Sequence, residues 1–145
     1  MLRYSFARLC SVAGLMLLLN GCATTNQTTL YQQLGEKPGI SKLVEDLINE
    51  VLNDNKISQH FEEADLDRTH DKLVEQICQL SDGPCEYTGK TMQEMHKDMI
   101  ITKGHFNAIV EALMRAMDHN NIAVGAQNQL LSLLAPMHQD IITKH

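Results

Sequence analysis

Residues 82–106 read DGPCEYTGKTMQEMHKDMIITKGHF. This stretch contains the signals for the end of one helix, a short second helix and the start of a third, and it decides the fold. The dipeptide Gly83-Pro84 marks the end of a preceding helix, because proline lacks the amide hydrogen that a helix interior needs. A short helix over residues 90–99 is predicted next, with His96 on a side otherwise made of methionines. Thr102 then suits an N-cap, so a longer helix is predicted to start there.

Helical periodicity continues on both sides of this stretch. Apolar residues recur every three or four positions after Ser41 and after Asp67. Ser41 is the expected N-cap of the first of these helices, and Asp65 or Asp67 that of the second. The last helix is predicted over residues 124–142, where Pro136 is expected to kink or divide it. The sequence shows neither a convincing alternating β-branched run nor an internal repeat, so a small all-α domain is predicted.

Composition limits the class of protein. The chain has 145 residues, of which 43% are hydrophobic and 4% aromatic, with no Trp. This length and apolar fraction fit one globular domain and exclude a large multidomain enzyme. Eighteen acidic against 12 basic residues give a net charge of −6, which argues against a nucleic-acid partner. With so few aromatic side chains the core is thin, and a bound apolar cofactor would supply bulk and stabilise the folded state.

The N-terminal stretch is typical of an export signal. Arg3 and Arg8 precede an uncharged apolar run that is too short to span a bilayer. The run ends in LNGC (19–22), which resembles the lipobox of bacterial lipoproteins, although an ordinary signal peptide with a chance cysteine is the alternative. The resemblance implies that residues 1–21 are a lipoprotein signal peptide and that Cys22 is acylated, which would anchor the protein to a membrane by lipid.

The residues after the signal bear on location. Residues 22–29 are polar and lack a hydrophobic period, so they form a predicted flexible tether before a domain over residues 30–145. Ala23 rather than Asp follows Cys22, which by the same resemblance implies the outer membrane of the bacterial envelope, facing the periplasm. Loss of the signal would leave 10 basic against 18 acidic residues, a net charge of −8.

The spacing of the cysteines and histidines limits which disulfides, metal sites and catalytic motifs the chain can contain. In an oxidising envelope Cys78 and Cys85 are predicted to form a disulfide, with two free thiols as the alternative. The seven histidines form neither an H-E-x-x-H motif nor a Cys–His zinc spacing, and no G-x-S-x-G or P-loop sequence occurs. A lone histidine such as His96 is usually a hydrogen-bonded core residue, but imidazole is also the side chain that holds haem iron in globins.

Residues 30–142 resemble the group I truncated haemoglobins, small globins with a two-over-two helical sandwich. Short matches spread along the chain carry the resemblance: LYQQLG (30–35), VED (44–46), Phe61, DGPCEYTG (82–89), MQEMHKDMII (92–101), Phe106 and LAP (134–136). The resemblance implies an all-α truncated globin that binds haem b, with His96 as the proximal ligand of the iron.

The resemblance also implies which side chains contact the haem. They are Phe61, Thr69, Lys72, Leu73, Tyr87, Met92, Met95, Ile101 and Phe106. Phe61 would pack on the face of the porphyrin and Tyr87 would lie near a propionate. Met92, Met95, Ile101 and Phe106 would line the proximal side. Plain core packing is compatible with each of these assignments.

The distal side departs from the family pattern. Group I members often use a Tyr on helix B and a Gln on helix E to donate hydrogen bonds to bound O₂, whereas this chain has Ile48 and Leu73 at those positions. Neither can donate, so O₂ is expected to leave faster unless another donor substitutes. Lys72 is expected to pair with a propionate, while Lys72 or His70 as a sixth iron ligand are the alternatives.

The function implied is a haem protein tethered to the envelope, a monomer or weak dimer, that binds or transports O₂ and also binds NO or CO opposite His96. An NO dioxygenase or peroxidase-like activity would need an external electron donor, because no reductase domain fits in this chain. A redox or gas sensor, or an electron-transfer module with six-coordinate iron, is the alternative. A structural lipoprotein that keeps the globin scaffold without haem is the third interpretation.

Overall fold

The computed structural model of the chain describes residues 28–144, so the signal sequence and Cys22 lie outside the described residues. Helix α1 (Leu30–Gln33) is followed directly by α2 (Glu36–Leu52). Gly35 forms the N-cap of α2 with a φ of 80°, a left-handed conformation that glycine adopts without a steric penalty. The chain therefore turns at Gly35 and the helix starts well before Ser41, so the prediction that Ser41 is the N-cap is wrong.

Helix α3 (Leu66–Leu80) follows a 3₁₀ turn at Ser58–His60. Asp65 is its N-cap, and the Asp65 carboxylate accepts a hydrogen bond from the Arg68 amide at 3.1 Å. Of the two caps predicted for this helix, the structure confirms Asp65.

Two capped helices follow the break at Gly83-Pro84. The first, α4 (Met92–His96), has only five residues and is capped by Thr91. The second, α5 (Lys103–His119), is capped by Thr102 as predicted. In both, the N-cap hydroxyl accepts a hydrogen bond from a backbone amide and the side chain three residues on bonds back to the N-cap amide.

The C-terminal helix is divided at Pro136, also as predicted. Helix α6 (Val124–Leu134) ends in a 3₁₀ turn at Ala135–Met137 that carries the proline in its first turn, and α7 (His138–Ile141) follows. Beyond α7, the amides of Thr143 and Lys144 donate to the Ile101 carbonyl at 3.1 and 3.0 Å, and the Ile101 amide donates to the Thr143 hydroxyl at 2.9 Å. The end of the chain is thus clasped to the segment between α4 and α5.

Helix α2 lies at the centre of the packing, because it contacts both α3 and α5. Helix α6 contacts α1 and α3, and α7 contacts α4. The core is largely aliphatic and includes Ile40, Leu43, Val44 and Val51 from α2 and Ala112, Ala116 and Met117 from α5. Residues 28–144 contain no β-strand, which confirms the all-α class. No helix within this range is long and apolar enough to cross a bilayer.

Candidate functional site

The last residue of α4, His96, has one ring nitrogen already engaged. The His96 Nδ1 lies 2.7 Å from the Met92 carbonyl oxygen, one helical turn earlier. A carbonyl oxygen only accepts, so in the neutral ring Nδ1 carries the proton and Nε2 keeps a free lone pair. An imidazole that binds a metal through one nitrogen is held in this way through the other. The half-buried His96 ring is therefore set up as a ligand.

The position of His96 depends on the cap of α4. A five-residue helix has too few hydrogen bonds to be stable alone. The Thr91 hydroxyl accepts a hydrogen bond from the Glu94 amide at 3.2 Å, and the Glu94 carboxylate accepts from the Thr91 hydroxyl at 2.8 Å and from its amide at 3.1 Å. These bonds lower the pKa of Glu94, because they favour its charged form. The threonine cap, which sequence reasoning did not identify, thus fixes the turn that carries His96.

The residues predicted for the proximal side take different positions. Ile101 is buried, and half-buried Phe106 meets the His138 ring edge to face, with ring centroids 4.8 Å apart. Met92 is half-buried, whereas Met95 is 45% exposed. The structure therefore gathers three of the four predicted side chains at α4 and the start of α5 and leaves Met95 facing outward.

Three further apolar side chains pack against the core and stay half-buried. They are Ile48 on α2, Phe61 after the 3₁₀ turn and Leu73 on α3. Half-exposed apolar surface of this kind is stabilised when an apolar group covers it. Together with the free Nε2 of His96, these residues fit a haem, which brings a flat apolar ring and an iron that accepts one axial imidazole. No group of three or more acidic, histidine or cysteine side chains within residues 28–144 is arranged to hold a metal ion.

Lys72 is held by partners on its own side of the molecule. Its ammonium donates to both carboxylate oxygens of Glu75 at 2.8 Å and to the Thr88 hydroxyl at 2.6 Å. The same contacts lower the pKa of Glu75 to about 2, first through the Lys72 hydrogen bond and then through the Thr88 amide and hydroxyl. In this structure Lys72 therefore anchors the loop after α3.

The other polar residues predicted near the haem also have hydrogen-bond partners within the protein. The His70 Nε2 lies 3.1 Å from the Ser41 carbonyl oxygen, which ties the ring to α2. The Thr69 hydroxyl donates to the Asp65 carbonyl one turn earlier at 2.9 Å. The Tyr87 hydroxyl donates to the Lys90 carbonyl at 2.7 Å.

Sequence reasoning missed Gln76, which is one of the few buried polar side chains at 8% exposure. Its amide nitrogen contacts the sulfur of Met92 at 3.7 Å and that of Met137 at 3.6 Å. The position could have been found from the helical spacing, since Gln76 lies seven residues after Thr69 and three after Leu73, on the same side of α3.

A pair of histidines far apart in sequence was also missed. The His60 Nε2 lies 3.0 Å from the His105 Nδ1, and the Thr102 amide donates to the same His105 nitrogen at 3.5 Å. His105 Nδ1 is then the acceptor and His60 the donor. Partial burial is the main cause that lowers the pKa of His60, and the neighbouring imidazole of His105 lowers it further.

A disulfide joins Cys78, which is fully buried in α3, to Cys85 in the following loop, with their Cα atoms 5.7 Å apart. The amide of Tyr87, two residues further on, donates to the side-chain oxygen of Gln79 at 2.5 Å. The loop that carries Tyr87 and Thr88 is therefore fixed to α3 at several points.

Known proteins similar to this chain are haemoglobins. A group 1 truncated hemoglobin of Tetrahymena pyriformis is 27% identical over 116 residues, which are 80% of this chain and 96% of that protein. A group 1 truncated hemoglobin of Nostoc sp. (strain MUN 8820) is 26% identical over 117 residues, or 81% of this chain and 99% of that protein.

Solved structures agree with these relatives. The crystal structure of truncated hemoglobin from Tetrahymena pyriformis, Fe(III) form, matches with a TM-score of 0.77 at 26% identity and covers 81% of this chain and 100% of that one. The 2/2 hemoglobin from Synechococcus sp. PCC 7002, in the cyanomet state with covalently attached heme, matches with a TM-score of 0.75 at 20% identity and the same coverage, and supports the fold alone. The predicted truncated-globin fold is confirmed.

The family-level comparison covers most of the chain. The family described as bacterial-like globin matches residues 29–143, from the N-cap of α1 to the C-terminal clasp. All the helices described above lie within that range. This chain therefore belongs to the bacterial-like globin family.

Proposed function

We propose that this protein binds haem b through His96 and takes up a diatomic gas, foremost O₂, on the opposite side of the iron. Haem b is the usual cofactor of globins, and family membership supports it as the cofactor. The observation that carries the proposal is the hydrogen bond from His96 Nδ1 to the Met92 carbonyl, which leaves Nε2 free. When bound, the haem supplies an iron that can take one gas ligand.

Different residues of the chain would bind the iron and cover the haem. His96 would hold the iron, and the bond to Met92 would fix the direction of its ring. Ile48, Phe61 and Leu73 would cover the haem and exclude water, which slows oxidation of the ferrous iron. Chemical turnover such as NO dioxygenation would in addition require an electron donor supplied from outside the chain.

Absorption spectra of the purified protein with haem b test this proposal. We expect a Soret band in the oxidised, reduced and CO-bound forms, and we expect His96→Ala to lose tight haem binding. His119→Ala is a matched control, because the exposed His119 side chain lies at the end of α5 beside Glu50. A wild-type protein that takes up no haem, or a His96→Ala variant with an unchanged spectrum, would contradict the proposal.

The contacts of Lys72 and His70 bear on iron coordination. Because Glu75 and Thr88 hold the Lys72 ammonium and Ser41 holds the His70 ring, we propose that the reduced iron is five-coordinate before gas binds. A six-coordinate spectrum of the reduced protein without added ligand would contradict this. Lys72→Met and His70→Leu would then identify the endogenous ligand by restoring the five-coordinate form.

We also propose that Cys22 is acylated and holds the protein on the bacterial outer membrane, facing the periplasm. The support lies in the sequence alone, in the basic head, the apolar run and the LNGC end of the signal. Expression with labelled fatty acid should label the wild-type chain in the membrane fraction. Cys22→Ser should carry no label and should be absent from the membrane fraction. A labelled Cys22→Ser variant would contradict the proposal.

A further inference from the structure

The pair of His60 and His105 joins two elements that are distant in sequence. His60 ends the 3₁₀ turn before Phe61, and His105 lies in the first turn of α5. Their facing ring nitrogens, His60 Nε2 and His105 Nδ1, are 3.0 Å apart, and both residues are only half-buried. Two imidazole nitrogens therefore lie next to each other where solvent reaches the protein.

The separation of these two nitrogens suits neighbouring positions around one metal ion. Metal–imidazole bonds are about 2.0 to 2.1 Å long, so nitrogens 3.0 Å apart would subtend about 95° at the ion. This angle is close to the right angle between adjacent ligands of a tetragonal ion and smaller than that of a tetrahedral one. The ring centroids are 4.7 Å apart, less than for two rings that meet head-on, so a small rotation would direct both lone pairs at one point.

The protons of the pair allow such an ion to bind. His105 Nδ1 accepts from the Thr102 amide, so His60 Nε2 carries the proton of the bond between the rings. Metal binding at Nε2 requires that proton to move to Nδ1 of the same ring, a change of tautomer that releases no proton. Within residues 28–144 neither His60 Nδ1 nor His105 Nε2 has a hydrogen-bond partner, so the change disturbs no other contact of the two rings. The ion would replace the bond between the rings and the long bond of 3.5 Å from Thr102.

An open cleft of about 430 Å³ adjoins His60 and offers oxygen ligands. Glu62 and Glu63 line this cleft, and both side chains are exposed and free to turn toward the pair. None of the side chains assigned to the haem is among the described residues that line it, so the cleft is separate from the haem site. No third acidic, histidine or cysteine side chain of residues 28–144 already completes a metal site. Water or one of these two carboxylates would therefore fill the remaining positions around the ion.

We propose that His60 and His105 form a binding site for a divalent transition-metal ion, Cu²⁺ above all, distinct from the site of the haem iron. Among the first-row divalent ions, Cu²⁺ binds nitrogen ligands most strongly and prefers tetragonal coordination by nitrogen and oxygen. The ion is held by His60 Nε2 and His105 Nδ1, and it joins the turn before Phe61 to the start of α5. The inference goes beyond the proposed function and does not depend on haem binding.

Titration of the purified full chain with Cu²⁺, with and without haem b, tests this proposal. We expect one ion to bind per chain at the pair. The electron paramagnetic resonance of that ion should show two coordinated imidazole nitrogens. His60→Gln and His105→Gln should each weaken the binding at least about tenfold, because one of the two protein ligands is lost.

Glutamine preserves the local structure in both variants. In His105→Gln the new amide suits the capping box with Thr102, and in His60→Gln it can still donate to His105 Nδ1. His119→Ala is the control on the same helix, because exposed His119 lies at the opposite end of α5 and its loss should leave Cu²⁺ binding unchanged.

Three results would overturn the inference. They are a wild-type chain that binds no Cu²⁺, a bound ion with fewer than two coordinated imidazole nitrogens, and unchanged affinity in both glutamine variants. Because the titration is also made without haem, a failure of the proposed haem binding would leave this result readable on its own.

Discussion

The α2–α5 pair and the α3–α4 pair are built in different ways. Helices α2 and α5 each bury five apolar side chains, including Leu43 and Ala112, neither of which is exposed at all. Helix α4 buries none, and α3 buries Gln76 among its apolar residues. The first pair is held by its own packing, whereas the second depends on caps, a disulfide, an ion pair and, in our proposal, the haem. Most of the candidate site thus lies on the part of the domain that buries fewer apolar side chains.

Truncation of Leu43 should have the largest effect, because it removes packing from the centre of α2. We expect Leu43→Ala to lower the free energy of unfolding by about 3 kcal/mol, both with and without haem. Chemical denaturation measures this. Leu52→Ala in the same helix is the control, since Leu52 is 41% exposed and should change stability by less than about 1 kcal/mol. Equal losses of unfolding free energy in the two variants would show that α2 is not stabilised mainly by its buried side chains.

Loss of the disulfide should have a smaller effect, confined to the second pair. Closing a short loop between Cys78 and Cys85 is expected to stabilise the folded state by about 2 kcal/mol. Thermal unfolding with and without a reductant measures the difference. Cys85→Ala should match the reduced protein and show no further response to reductant. If reductant lowers the melting temperature of Cys85→Ala as much as that of the wild-type protein, the effect does not come from this bond.

The histidine pair should make stability depend on pH. The pKa of His60 in the folded protein lies below its ordinary value of 6.5, so the unfolded chain binds more protons as the pH falls through 6.5. The pair therefore contributes stability above about pH 6.5 that is lost as the pH falls through that value toward the folded pKa. Unfolding free energies measured across this range should decline less steeply in His60→Gln. A parallel decline in the two proteins would show that other groups are responsible.

Loss of the ion pair between Lys72 and Glu75 should have the smallest effect, a change in the pKa of Glu75. Without the ammonium, the pKa of Glu75 should rise from about 2 toward its ordinary value of 4.5 in Lys72→Met, while the Thr88 hydrogen bonds retain part of the depression. Carboxyl chemical shifts followed by NMR against pH measure this. Lys42→Met, on α2, is the control, because Lys42 pairs with Asp46 and should leave Glu75 unchanged.

Local signals predicted most of the fold, and they failed where the chain is arranged by distant or backbone contacts. Asp65, Thr102 and Pro136 act through their nearest neighbours, so their roles follow from the sequence. Ser41 was misassigned because the start of α2 depends on a left-handed glycine turn at Gly35, which apolar periodicity does not reveal.

The site was predictable to a similar extent. His96 stands out in sequence because of its short, methionine-rich helix, but the carbonyl that orients it becomes visible only in three dimensions. Gln76 was passed over because a polar residue in an amphipathic helix is normally assigned to the solvent side. His60 and His105 are 45 residues apart, so no local pattern connects them.

The clasp between Thr143 and Ile101 has a practical consequence for fusion proteins. A partner fused at the C-terminus would act on the two backbone hydrogen bonds that Thr143 and Lys144 donate to the Ile101 carbonyl. Ile101 lies five residues beyond His96. An attachment at the N-terminus would load α1 instead, at the other end of the described chain. Purification handles and fluorescent reporters are therefore better placed between Cys22 and residue 28 than after residue 144, where they would disturb the segment next to His96.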